Sequence, residues 1–317
     1  MGKLLFSSFI IGVVSGVVVT IYGLSSEFFK NLLFPTFNMP WWYFYLVPMV
    51  SILIVNILII KNEKVKEYGV SEIAKAIEEN RVAFSLKDLV LKIFASSLSI
   101  SSGFAVGNEG PSAAIGAMVA QKVHNFFKLP KDLLRVSLGI GASSGIATIF
   151  VSPLTGVMFA IENLAYEFVK DFGIYLVVGG VVAFSIGWMF LDPLVFDYSI
   201  GKFLEYRYIL AIIFFVPVIS FFVYFYLGLR DRLLKFFNKF EFRYKNFLIA
   251  IIGGGVIGTI MLISPYAAFS GHEVVETLIN DKFHLSLNLI FVIIVLRIVA
   301  VSVSLYVNAV GGLFLWV

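Results

Sequence analysis

Long apolar runs decide what this chain can fold into. A membrane-spanning helix needs about 17–25 apolar residues, and six runs reach that length: 4–24, 43–60, 173–191, 209–228, 247–263 and 286–307. Hydrophobic residues make up 60% of the 317 positions and charged residues 14%, which is more apolar surface than one water-soluble core of this size could enclose. The sequence therefore predicts an all-α, polytopic membrane protein, with residues 1–317 forming a single transmembrane domain.

Two further apolar stretches, 88–121 and 133–169, are interrupted by glycine, serine and proline. At membrane depth, irregular backbone is tolerated only where protein or a water-filled cavity takes up the freed polar groups. We therefore expect broken helices in these two stretches, buried inside the protein.

Lysine and arginine are in excess over 61–87 and 230–245, which predicts that both segments and the N-terminus lie in the cytoplasm. Only Lys3 precedes the first apolar run, and no A-x-A cleavage site follows it. We expect a retained first span rather than a signal peptide, and we expect the protein in the cell membrane.

Several classes of function are not expected. Cysteine is absent, which excludes disulfides and thiolate metal sites, and the three histidines, His124, His272 and His284, are scattered. We expect no metal and no cofactor. The H-E-x-x-H and G-x-S-x-G motifs are missing, so the chain is not predicted to be an enzyme. The net charge of +4 is modest, and no nucleic-acid partner is expected.

Small residues recur at helix-packing spacing. Glycines four positions apart let helix backbones approach closely in lipid, and we expect a packing role for each pair. The pairs are Gly12 and Gly16, Gly141 and Gly145, and Gly254 and Gly258.

An internal repeat appears when the sequence is shifted by 205 positions. The shift pairs Leu91-Lys92-Ile93 with Leu296-Arg297-Ile298, Ala95 with Ala300, Ser97 with Ser302, Ser99 with Ser304, and Gly107 with Gly312. A second shift, of 202, pairs Gly69 with Gly271 and is weaker. Corresponding broken helices in two halves are typical of repeat-built transporters. We expect a first repeat at about 1–170 and a second at about 174–317.

The segment Gly107–Pro111 contains an acid within an apolar stretch. Gly107 permits a turn, and Pro111 suits the first turn of a helix, where its missing N–H would be unpaired anyway. An intramembrane carboxylate such as Glu109 is a functional-site hypothesis by default, since it can occupy an anion site at a helix N-terminus and leave it on protonation. The alternative is a structural, helix-capping glutamate paired with a lysine.

Five segments together resemble one family of membrane proteins. Gly107–Pro111 is similar to the G-[KR]-E-G-P signature of the CLC chloride channels and antiporters, and Lys92 falls where that family keeps a buried lysine. Ser152–Glu162 resembles N-A-P-L-A-G-x-L-F-x-x-E, Gly311–Leu315 resembles the start of G-x-F-x-P, and Tyr68–Glu72 stands where the family has G-S-G-I-P. Order and spacing agree across all five.

The resemblance implies a CLC-type, inverted-repeat fold of broken and tilted helices, and a homodimer with a separate anion pathway in each subunit. It also implies that Glu109 is the external gating glutamate, which carries the proton in members that exchange ions. Backbone amides would bind the anion at Tyr68, Gly69, Val70, Asn108, Gly110, Leu313, Phe314 and Leu315.

The sequence departs from the family at Tyr68, Asn108 and Asn163, and also at Trp316. Tyr68 stands where many members have a serine, and Asn108 replaces a lysine or arginine. Asn163 stands where many antiporters have an internal proton-accepting glutamate, and an asparagine cannot titrate; this favours a channel, or an exchanger with another proton route. Glu162 is expected to be structural, because a neighbouring helix residue points about 100° away.

Two intramembrane cations, Lys92 and Arg297, are expected to be structural charges near the pathway. A buried lysine needs a carboxylate or several carbonyls, and it can also add to the positive potential of the pathway.

Trp316 replaces the proline of the G-x-F-x-P signature, and the resemblance implies further helices after this point. The leading hypothesis is transport of chloride as a channel or a chloride/proton antiporter. The alternatives are a fluoride/proton antiporter and a truncated, non-transporting subunit.

Overall fold

The structure is a computed structural model that describes residues 2–36, 38–66, 73, 84–163, 166–193, 206–238, 245–279 and 286–312. Within these residues it contains helices joined by short turns, and no strand beyond one isolated bridge. The helices are α1 (Gly2–Leu33), α2 (Trp41–Lys61), α3 (Leu86–Ser101), α4 (Glu109–Phe126), α5 (Leu134–Ile149), α6 (Pro153–Asn163), α7 (Tyr166–Gly187), α8 (Tyr206–Asn238), α9 (Lys245–Ile263), α10 (His272–Ile279) and α11 (Leu287–Tyr306).

The predicted spans are confirmed. Six helical segments of the described chain are long and apolar enough to cross a membrane: Gly2–Leu33, Trp41–Lys61, Lys170–Gly187, Ile209–Gly228, Asn246–Ile263 and Leu287–Tyr306. The predicted all-α membrane fold is therefore correct.

The two interrupted stretches form broken helices, as predicted. Gly103, with a φ of 99°, follows the end of α3, and Pro111 lies in the first turn of α4. In the second stretch, Val151 has a φ of 49° between α5 and α6, and Pro153 begins α6. Glycine thus follows the end of α3, and proline lies in the first turn of α4 and of α6. The left-handed residue of the second break is a valine, which the sequence did not indicate.

The centre of the protein is the packing of α4 against α5. Residues 109–121 of α4 and 136–148 of α5 are buried without interruption. Gly141 lies against the backbone of Gly116, and Gly145 lies against that of Ser112. α1 and α7 pack beside this pair, and α2 packs against α9.

The other two glycine pairs also lie at helix contacts, so all three packing predictions are confirmed. Gly12 and Gly16 face Gly179 and Ala183 of α7, and Gly254 and Gly258 face Met49 and Phe44 of α2.

The repeat with a shift of 205 is visible in the hydrogen bonds. The N–H of Ala105 donates to Oγ of Ser304 at 2.9 Å, and the N–H of Val310 donates to Oγ of Ser99 at 3.0 Å. Position 105 plus 205 is 310, and position 304 minus 205 is 99, so the two bonds join equivalent pairs of residues. The segments that contain these four residues are thus related by an approximate two-fold axis; the division at about 170–174 stays a prediction.

Candidate functional site

The candidate site forms where the two repeats meet. Gly107 and Gly312 make an antiparallel bridge: the N–H of Gly107 donates to the carbonyl of Gly312 at 2.8 Å, and the reverse bond measures 2.7 Å. These are the two glycines that the 205 shift pairs. They therefore lie next to the approximate axis, and the segments that contain them run in opposite directions.

Glycine is required at this contact because there is no room for side chains. A Cβ at Gly110 would lie 2.9 Å from Cα of Gly312, and a Cβ at Gly107 would overlap the Glu109 carboxylate. A Cβ at Gly311 would overlap the side chain of Val106. The glycines thus let α4 begin directly against the second repeat, with the Glu109 side chain turned back over Gly107.

Glu109 is the first residue of α4 and is 1% exposed. Its Oε2 atom is buried, and within the described residues it has no hydrogen-bond partner. Its Oε1 atom lies 3.8 Å from Nε2 of His272. The partner described for Glu109 is thus a histidine, and the structural alternative, a helix-capping glutamate paired with a lysine, stays a prediction. A carboxylate with an unused oxygen at a helix N-terminus is chemically suited to exchange places with an anion.

Asn108 precedes α4, and its side chain is hydrogen-bonded to a residue of α1. Its backbone carbonyl accepts bonds from Ser112, and its side-chain Oδ1 accepts a bond from the hydroxyl of Tyr22 at 3.0 Å. Tyr22 is fully buried and its hydroxyl also lies 2.9 Å from Oγ of Ser96. The residue that replaces the family's cation is therefore part of a polar network between α1, α3 and α4.

Lys92 and Arg297 bind carbonyls at equivalent positions of the two repeats. Nζ of Lys92 donates to Val65 at 2.9 Å, and Arg297 donates to Ser270 at 2.5 Å and to Ala268 at 3.3 Å. Val65 and Ser270 are themselves 205 positions apart. Arg297 therefore holds the backbone just before α10, and Lys92 holds the corresponding position of the first repeat, which supports a structural role for both charges.

His272 and Tyr22 were missed by the sequence reasoning. His272 begins α10 and reaches Glu109 across 163 positions, and Tyr22 reaches Asn108 across 86. The weaker shift of 202 pairs Gly69 with Gly271 and could have drawn attention to the start of α10. Nothing in the sequence singled out Tyr22.

Several predicted site residues lie outside the described residues, namely Tyr68, Gly69, Val70, Leu313, Phe314 and Leu315. Asn163 ends α6, but its side chain is also outside the description. Glu162 is exposed on the same helix. The described part of the candidate anion site therefore consists of Asn108, Glu109 and Gly110.

A comparison with protein families matches residues 49–315 to the voltage gated chloride channels. The chain belongs to the CLC family. This CLC chain is an integral membrane protein, and its family comprises channels and transporters for anions rather than enzymes.

Solved structures show the same fold. A slow cyanobacterial Cl⁻/H⁺ antiporter is 20% identical with a TM-score of 0.85, and covers 98% of this chain and 75% of its own. A CLC-type fluoride/proton antiporter is 15% identical with a TM-score of 0.79, over 98% and 77%. A eukaryotic CLC transporter is 16% identical with a TM-score of 0.73, over 98% and 57%.

Proposed function

We propose that this CLC chain moves chloride across the cell membrane through a pathway that Glu109 gates. One observation carries the proposal: a buried carboxylate with an unpartnered oxygen, within the described residues, stands at the N-terminus of α4 where the two repeats touch.

The physical basis is competition for one site. A helix N-terminus carries about half a positive charge and free N–H groups, which attract either the tethered carboxylate or a mobile halide. Deprotonated Glu109 occupies the site and blocks it. Protonation removes the negative charge, the side chain leaves, and chloride takes its place.

The rest of the proposed pathway follows from family membership. Backbone amides of Tyr68–Val70 and of Leu313–Leu315 would complete the anion site around Asn108 and Gly110, and two such chains would form a homodimer with one pathway in each subunit. Asn163 cannot accept a proton, which favours uncoupled flow.

The test is chloride efflux from liposomes, with pH recorded at the same time. In Glu109→Gln we expect efflux to continue and to lose its dependence on pH, because the amide cannot be deprotonated. Asp171→Asn, an exposed carboxylate of α7, is the matched control and should keep the pH dependence. Unchanged pH dependence in a folded Glu109→Gln protein would contradict the gate.

The same assay separates the alternatives. Faster efflux of fluoride than of chloride would favour the fluoride/proton antiporter. Absence of any anion efflux from the folded wild-type chain would favour the non-transporting subunit. Proton movement driven by a chloride gradient would indicate exchange instead of uncoupled flow.

A further inference from the structure

His272 is a partly exposed side chain that lies against the candidate gate. Its Nε2 atom lies 3.8 Å from Oε1 of Glu109, and its side chain is 21% exposed, whereas that of Glu109 is 2% exposed. A proton that reaches Glu109 from solvent therefore needs a carrier. An imidazole is suited to this task, because one ring nitrogen can take up a proton while the other releases one.

We propose that His272 is the proton relay between the outer solution and Glu109. The proposal rests on the gating role proposed for Glu109 and adds the group that delivers its proton. The outer side follows from the predicted topology: α1 begins in the cytoplasm, and Lys30, in the last turn of α1, acts electrostatically on His272.

The proton transfer balances within the two side chains. Neutral His272 carries its proton on Nε2. Nδ1 accepts a proton from an outer hydronium ion, which is left as water, the Nε2–H bond breaks, and Oε1 of Glu109 gains that proton. The ring is left neutral with its proton on Nδ1, and exchange with solvent restores the first tautomer. A movement of less than 1 Å would bring the 3.8 Å separation of Nε2 and Oε1 to hydrogen-bond length, which is about 2.7–3.2 Å.

The charges around His272 favour a relay over a lasting ion pair. Arg297 on α11 and Lys30 on α1 both act on the ring as positive charges, whereas Glu109 on α4 faces it as the acceptor. Glu276 follows one turn later on α10 itself. Burial of the ring and the two cations oppose a permanent imidazolium, so the ring passes the proton on rather than storing it.

The experiment is a rapid drop of outer pH on chloride-loaded liposomes, with the onset of chloride efflux as the readout. In His272→Gln we expect the onset to slow by about a hundredfold, which is typical of a lost proton-transfer group, while the final efflux at low pH stays at the wild-type level. In His272→Ala, imidazole added outside should restore the fast onset. A purely structural role of the histidine would not respond to added imidazole.

His124→Gln is the matched control. His124 lies fifteen residues further along α4, about 22 Å away along the helix, and it hydrogen-bonds Ser137 at 2.9 Å. It should keep the wild-type onset. A fast onset in folded His272→Gln, or no rescue of folded His272→Ala by imidazole, would overturn the relay.

The two proposals fail in different ways. If Glu109→Gln still responds to acid, the gate itself is wrong. If Glu109→Gln loses the response but both His272 variants respond at the wild-type speed, the gate stands and only the relay is wrong.

Discussion

At the scale of single residues, the spacing of Gly107 and Glu109 has a steric reason. The Glu109 carboxylate lies in the space that a Cβ at position 107 would fill. A glycine two positions before the acid therefore does more than permit a turn, because it leaves room for the side chain to fold back and stay buried.

Gly107→Ala should therefore displace the carboxylate without removing it. We expect chloride efflux that is less dependent on pH, in the direction of Glu109→Gln, because the added methyl group overlaps Oε2. Liposome efflux at several outer pH values measures this. Gly180→Ala on α7 is the control, since its Cβ would meet nothing nearer than 3.8 Å. Equal pH profiles for both variants would contradict the steric argument.

At the level of residues, the sequence drew attention to positions that are unusual for their surroundings. Glu109 stood out as an acid in an apolar stretch, and Lys92 stood out as a cation in another. Tyr22 and His272 are ordinary in their own segments, and they acquire their roles only through contacts made by folding. Such contacts depend on the relative position of helices that are far apart in the chain, which local patterns do not encode.

At the scale of elements, most of the breaks between helices follow from local chemistry, as the spans do. Glycine and proline act on the backbone at their own positions, which accounts for the end of α3 and the starts of α4 and α6. The turn after α5 contains a left-handed valine, Val151, that no local pattern indicated. The choice of which helices pack together does not follow from local chemistry. The glycine pairs indicated close contacts, but only the structure identifies α4 as the partner of Gly141 and Gly145.

Gly141→Ala should loosen the α4–α5 pair. Its Cβ would overlap the carbonyl of Gly116, which is backbone and cannot rotate away. Overpacking of this kind costs about 1–3 kcal/mol, so we expect a lower free energy of unfolding, measured in detergent. Gly228→Ala on α8 is the control, because a Cβ there meets nothing within 4 Å. A variant at 141 as stable as the one at 228 would contradict close packing at this contact.

At the scale of the whole molecule, the approximate two-fold axis organises the site. The paired glycines Gly107 and Gly312 bond to each other, and Met49 and Gly254, also 205 positions apart, lie in contact between α2 and α9. The shift was readable from the sequence because small and charged residues were kept at matching positions. The contacts between paired residues, in contrast, form only when the two halves are assembled.

The axis makes a quantitative prediction about Ser99 and Ser304. Each hydroxyl accepts one backbone N–H from the opposite repeat, so Ser99→Ala and Ser304→Ala each leave a buried donor unpaired, at a cost of about 1–3 kcal/mol. Because the environments are related by the axis, we expect the two losses in the free energy of unfolding to be nearly equal.

The double variant tests whether the two bonds act on one structure. Both brace the segments that pair at Gly107 and Gly312, so either bond can hold the pair when the other is lost. We expect the double variant to lose more stability than the sum of the single losses, which a double-mutant cycle measures. Ser7→Ala is the control, because the bond described for that hydroxyl goes to the carbonyl of Leu4 within α1, and its loss should simply add to either change. Strict additivity of Ser99→Ala and Ser304→Ala would mean that the two repeats support the glycine bridge independently.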